Sequence, residues 1–151
     1  MKKELKCIES GKVEKFNVIQ NRFTVARMRP LKNGVVIVLV YDTDVETNTE
    51  ILKYNIDFLK KQSGIKEIVC IPQIKNLEDE LKRSCKIKYI GELTNSKTTT
   101  DYKRDLISCT NLGVRLKKCD FDISKMWKQL PINSFQQFGN DAEKIKIYNK
   151  N

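Results

Sequence analysis

Two aspartates, Asp42 and Asp44, stand two residues apart at the end of a near-continuous apolar run, Val-Val-Ile-Val-Leu-Val-Tyr-Asp-Thr-Asp over residues 35–44. On an extended strand, side chains two apart point the same way. Like charges on one face repel, so a shared cation is the simplest reason to keep them together. Oxygen donors suit Mg²⁺ or Mn²⁺, and Mg²⁺ is commonly held by one or two carboxylates together with water and substrate phosphates. Glu9, which follows a short apolar stretch at residues 5–8 and precedes Ser10-Gly11, is the third candidate ligand. Together these residues read as a hard-metal site. The chain has no histidine. This excludes a histidine base, a Ser-His-Asp triad and a mixed Cys/His zinc site.

Charge points to a polyanion. The 29 Lys and Arg against 19 Asp and Glu give a net charge of +10, and basic side chains that meet phosphates release counterions and so drive sequence-independent affinity. Lys12 follows the first acid, and Lys97, Lys103 and Arg104 cluster at the start of a helix behind the polar segment Thr-Asn-Ser-Lys-Thr-Thr-Thr of residues 94–100. Lys97, Lys103 and Arg104 are expected phosphate contacts, because hydroxyls, free helix N–H groups and basic side chains together suit phosphate. A solvated basic face is the alternative reading. The five cysteines are odd in number and lack a C-x-x-C pair, so they read as reduced core residues.

The run at 35–44 reads as a strand buried on both faces, hence a central parallel strand with its site beyond the carboxyl end. A helix is expected over residues 12–23, from apolar positions three to four apart, and a strand over 24–28. A second helix over 47–61, stopped by Ser63-Gly64, leads to a strand over 65–71 closed by Pro72, completing a βαβ unit. Asn76 is expected to cap a helix that buries Leu77, Leu81 and Cys85. Glu78, Asp79 and Glu80 in its first turn complement the helix dipole, with a share of Glu78 or Glu80 in metal binding as the alternative. Residues 87–90 read as an edge strand. A further helix, with Tyr102, Leu106 and Cys109 inward, is expected to end at Gly113. Asp122 is expected to cap a last helix carrying Ile123, Met126, Trp127 and Leu130, with Trp127 in the core. The layout is one domain over residues 1–138 and a polar tail over 139–151. No signal-like opening and no run of about 18 apolar residues is present, so a cytoplasmic protein without a membrane span is expected.

Glu9 after a first strand and Asp42-Thr43-Asp44 after a later hydrophobic strand resemble the Toprim superfamily, which includes topoisomerases, primases and the small nucleases of phage defence. The likeness covers the first half of the chain, through Ile71, and is nearest to the small RloB and OLD types. The resemblance implies a compact α/β three-layer domain with a central, mostly parallel sheet flanked by helices. It also implies a Mg²⁺- or Mn²⁺-dependent nuclease acting on DNA or RNA, in which Glu9, Asp42 and Asp44 are the catalytic and metal-holding acids, a metal-activated water attacks the phosphoryl group, and Lys12, Lys97, Lys103 and Arg104 orient the nucleic-acid backbone. Family members show Glu-Gly directly and a second acid four residues on; here Ser10 intervenes and Glu14 lies five residues beyond Glu9, which leaves Glu14 as the other candidate for that acid.

Two other readings stay open. Asp42-Thr43-Asp44-Val45 also matches the motif of haloacid-dehalogenase-type phosphatases, in which the first Asp is the nucleophile. That family normally opens on its Asp strand, whereas 34 residues precede Val35 here. Alternatively, a Toprim-like domain without activity could serve as an accessory module that binds nucleic acid or a partner protein, or that self-associates.

Overall fold

The computed structural model describes residues 11–44 and 48–146. Glu9, Cys7, Val45 and the strand expected at 5–8 lie outside the described residues. The protein is mixed α/β: a two-stranded parallel sheet with several helices. Strand β1 (Val35–Asp42) and strand β2 (Ile65–Gln73) pair in parallel, with Leu39 opposite Cys70 and Asp42 opposite Gln73. Between them runs α2 (Glu50–Lys60), which buries Leu52, Asn55, Ile56 and Leu59. The βαβ unit read from the sequence is therefore present. β2 runs two residues further than expected, through Pro72 to Gln73. A proline is tolerated there because its missing N–H lies at an outer edge.

Alternation along the strands divides the core. Ile37, Leu39 and Tyr41 pack with Cys70, Leu52, Ile56, Leu59 and Phe135 on one face. Val36 and Val38 pack with Val69, Ile71, Met126, Trp127, Ala142 and Ile145 on the other. A third cluster, Leu81, Ile90 and Leu93, is covered by Tyr102, Leu106, Leu112 and Leu116. β1 is less enclosed than expected for a central strand: Val40 is 44% exposed, beside the cleft described below.

Several elements differ from the sequence expectation. Residues 12–23 form a loop with one turn, not a helix, and residues 24–28 hold the short helix α1 (Val25–Met28), not a strand. The cause is buried Asn55 on α2. Its Oδ1 accepts from Phe23 N at 2.7 Å, and its Nδ2 donates to Val18 O at 2.9 Å and Asn21 O at 2.8 Å. Asn17 Oδ1 also accepts from Ile19 N and Gln20 N, so side chains take the place of helix bonds.

Helix α3 (Leu77–Ser84) is capped as expected, Asn76 Oδ1 accepting from Asp79 N at 3.0 Å. Residues 87–90 are not a strand, because Glu92 Oε1 draws in Lys88 N and Tyr89 N and opens the short helix α4 (Gly91–Thr94). Helix α5 (Thr99–Ser108) ends before Gly113, and a further helix, α6 (Leu112–Lys118), follows. Gly113 lies inside α6 with open space where a Cβ would stand, so it stops nothing.

Asp122 does cap a turn, Oδ1 accepting from Ser124 N at 2.9 Å, yet no last helix forms. Trp127 sits at φ 54°, its N–H given to Glu80 Oε2 and its carbonyl accepting from Asn140 Nδ2. It is a core residue as expected, 5% exposed. Residues 139–146 of the expected tail also belong to the core: Ala142 and Ile145 are buried, and Asp141 exchanges bonds with the Cys70 backbone at 2.8 and 3.0 Å. Cys70 and Cys85 are buried free thiols, and Cys109 and Cys119 are half-buried free thiols. Burial, with Asp141 beside Cys70 and Cys119 beside Cys85, pushes both buried thiols up to about 11. Among the described residues no helix is long and apolar enough to cross a membrane.

Candidate functional site

A cleft of about 340 Å³ opens beyond the carboxyl ends of β1 and β2, walled by residues 15–20 on one side and by Val40, Tyr41, Asp42, Asp44 and Gln73 on the other. Parallel sheets present ligand sites at this end. Both aspartates of the motif line it.

Thr43, the residue between them, fixes their presentation. β1 ends at Asp42, and Thr43 N then donates to Gln73 O at 3.1 Å and Lys75 O at 2.9 Å. Its hydroxyl donates to Gln73 O at 3.1 Å and accepts from Lys75 N at 3.0 Å. Lys75 takes the left-handed φ of 65° to make this possible. Its neighbour Ile74 is held on both sides: Ile74 N donates to Glu80 Oε1 at 2.9 Å, and Arg83 Nη2 donates to Ile74 O at 2.7 Å. A bonded path thus runs from buried Glu80 through the connection after β2 to the Asp-x-Asp turn.

The electrostatics of the turn are unfavourable to its own charge. Partial burial, the neighbouring Asp44 and the nearby Glu78 raise Asp42 to about 6, against a smaller lowering by Lys103. Lys103 Nζ also lies 3.8 Å from Glu78 Oε1. Asp42 and Asp44 line the cleft, and Glu78 and Lys103, which do not line it, act on Asp42 through their charges. Glu78, in the first turn of α3, thus acts on Asp42 as well as on the helix dipole. Glu80 is excluded from any ligand role, since it is wholly buried with both oxygens bonded.

The other expected residues are placed as follows. Lys12 pairs with Glu14 at 2.6 Å and Arg27 with the same carboxylate at 3.0 Å. The Lys12 contact holds Glu14 below the usual carboxylate range. Glu14 does not line the cleft. Arg104 pairs with Asp101 at 3.2 Å and Asp105 at 3.3 Å. The start of α5 is occupied by Asp101, which exchanges bonds with the Thr98 cap at 2.6 and 3.3 Å. Lys97 is exposed and makes no ion pair among the described residues. Of the basic set, only Lys103 reaches the acids. The sequence reading missed Lys15, on the cleft rim, and Gln73 and Thr43, whose signal was a threonine set between two aspartates at a strand end.

Among the described residues no three metal-ligating side chains are gathered. The donor set is nevertheless of the right chemistry: two hard carboxylates on a solvent-open cleft are what Mg²⁺ ordinarily takes from a protein. No protein-family model, curated protein or solved structure matches this chain.

Proposed function

We propose that the protein is a Mg²⁺- or Mn²⁺-dependent phosphodiesterase acting on nucleic acid, with the Toprim-type arrangement of acids. The observation that carries this reading is the presentation of Asp42 and Asp44 on a cleft at the carboxyl ends of parallel strands, beside a further acid, Glu78. Carboxylates that repel one another and face solvent are poised for a cation. Asp42 and Asp44 hold it, with Glu9 as the third acid of the resemblance. A bound divalent ion supplies charge neutralisation at the phosphoryl group and a more acidic water. Lys15 on the opposite rim attracts the phosphate, and Lys103 offsets part of the negative charge that Glu78 adds. The chain's +10 charge favours approach of a polyanion. A role in phage defence belongs to the same resemblance.

A second reading has one observation in its favour. The chain's +10 charge favours a polyanion whether or not it is cut, and so suits equally a module that binds nucleic acid without cutting it. Incubation of DNA and RNA, single- and double-stranded, with Mg²⁺ or Mn²⁺ separates the two. The nuclease reading expects cleavage that EDTA and Asp42→Asn each abolish, and a rise in melting temperature with Mn²⁺ that Asp42→Asn/Asp44→Asn loses. Binding without cleavage, and without the metal-dependent rise, assigns the module.

A further inference from the structure

A separate surface gathers lysines around an exposed aromatic ring. Lys86, Lys88 and Tyr89 lie on the turn between α3 and α4, and all three are exposed, Tyr89 at 62%. The turn and the helix α4 that follows it are tied to α6 and its C-cap. Lys86 N donates to Cys119 O at 2.8 Å, and Arg115 Nη1 donates to Leu93 O at 3.1 Å. Lys118, exposed, stands three residues after Arg115 and so lies on the same flank of α6. Lys86 pairs with Asp120 at 3.1 Å, while Lys88 and Lys118 make no ion pair among the described residues.

Tyr89 is exposed but not loose. Its backbone N–H and that of Lys88 both donate to Glu92 Oε1, at 3.3 and 2.8 Å. One edge of its ring lies against Gly91, where an added Cβ would come within 3.2 Å of Cδ2 and Cε2. A large aromatic side chain held in place with most of its surface in water loses little freedom on stacking.

We propose that Lys86, Lys88, Tyr89 and Lys118 form a binding surface for single-stranded nucleic acid, with Tyr89 as the platform for one base and the lysines against the phosphates. Charge complementarity selects a polyanion, and the ring selects an unpaired base, because bases in a duplex already stack on one another. The surface is distinct from the acidic cleft. Its binding stands apart from hydrolysis there and is measured with the cleft inactive.

The test is fluorescence anisotropy in EDTA with labelled oligo-dT and oligo-U of 12 nucleotides and a duplex of equal length. Tyr89→Ala is expected to weaken the single strands about tenfold and to leave the duplex unchanged, with Tyr89→Phe close to wild type. The triple variant Lys86→Ala/Lys88→Ala/Lys118→Ala is expected to lower the slope of log affinity against log salt by about 2. A control triple of equal charge, Lys32→Ala/Lys53→Ala/Lys66→Ala, is expected to keep the wild-type slope. Circular dichroism checks that each variant is folded. Wild-type affinity in Tyr89→Ala, or equal loss of slope in both triples, overturns the proposal. Loss of binding to phosphatidylserine vesicles in the lysine triple, with oligonucleotide binding intact, assigns the surface to a membrane instead.

Discussion

Glu80 and Asp42 are carboxylates in neighbouring parts of one structure, and their surroundings are opposite. Glu80 is wholly buried, with Ile74 N and Trp127 N both at 2.9 Å from its oxygens and Arg83 Nη2 at 2.9 Å. Asp42 faces the cleft beside Asp44 and Glu78, and among the described residues nothing donates to it. A buried charge is tolerated only when paired and fully bonded. Glu80 meets that condition and its charge is committed to the fold. Asp42 and Asp44 are exposed to the cleft and have no such donors among the described residues, so their charge is available to a ligand. The type of residue is the same in kind; the count of donors around it separates structure from function.

Removing Glu80 breaks the comparison from the structural side and has the largest expected effect. Glu80→Ala leaves the Ile74 and Trp127 N–H groups and the Arg83 guanidinium without their acceptor. It is expected to cost about 3–5 kcal/mol in urea unfolding. Glu80→Gln keeps the shape and an acceptor oxygen, and is expected to cost about half as much. Because Ile74 adjoins the residues that anchor Thr43, the Gln variant should also weaken Mn²⁺ binding although Glu80 touches no ligand. Unchanged stability in Glu80→Ala would show that the bonded path from Glu80 to the cleft does not hold it.

The second break concerns the other wall of the cleft, residues 15–20, which depend on Asn55. This asparagine also explains why the sequence reading failed there. Positions Val13, Phe16, Ile19 and Phe23 have helical spacing, but spacing reports only which residues prefer burial. Three bonds from an α2 side chain, 32 to 37 residues away, decide the backbone. Where both periodicity and connection were local, the reading succeeded: β1, α2, β2 and the Asn76 cap appear within a few residues of their expected bounds. Past residue 86 side chains again override pattern. Glu92 turns the expected edge strand into a helix start, and Glu80 and Asn140 hold Trp127 out of a helix. The Asp42-Thr43-Asp44 part of the site was legible because strand ends and acids are both local signals. The role of Thr43 was not, since its partners lie 30 and 32 residues on. Asn55→Ala leaves the Phe23 N–H unsatisfied in the core and frees the loop. It is expected to cost about 2–3 kcal/mol and to raise hydrogen exchange over residues 17–23 before the rest of the chain.

The smallest effect sharpens the comparison from the functional side, and its sign is opposite. In metal-free protein Asp42 stands at about 6, raised first by partial burial and then by Asp44 and Glu78, against an ordinary value of 3.8. Folding therefore favours its protonated form. The resulting stabilisation is fully present below about 4, declines as pH rises through about 6, and is absent at neutral pH, where the folded protein carries a charge it does not satisfy. Asp42 is largely exposed, so solvent screens much of the shift. Asp42→Asn in EDTA is expected to stabilise the protein at pH 7.5 by about 1 kcal/mol and to change little at pH 4. Urea midpoints across that range test it directly. Addition of Mn²⁺ should reverse the order, stabilising the wild type and not the variant, because the cation supplies the partner that the fold withholds. In EDTA, a wild type whose stability rises from pH 4 to 7 relative to Asp42→Asn would place Asp42 with Glu80 among the structural acids.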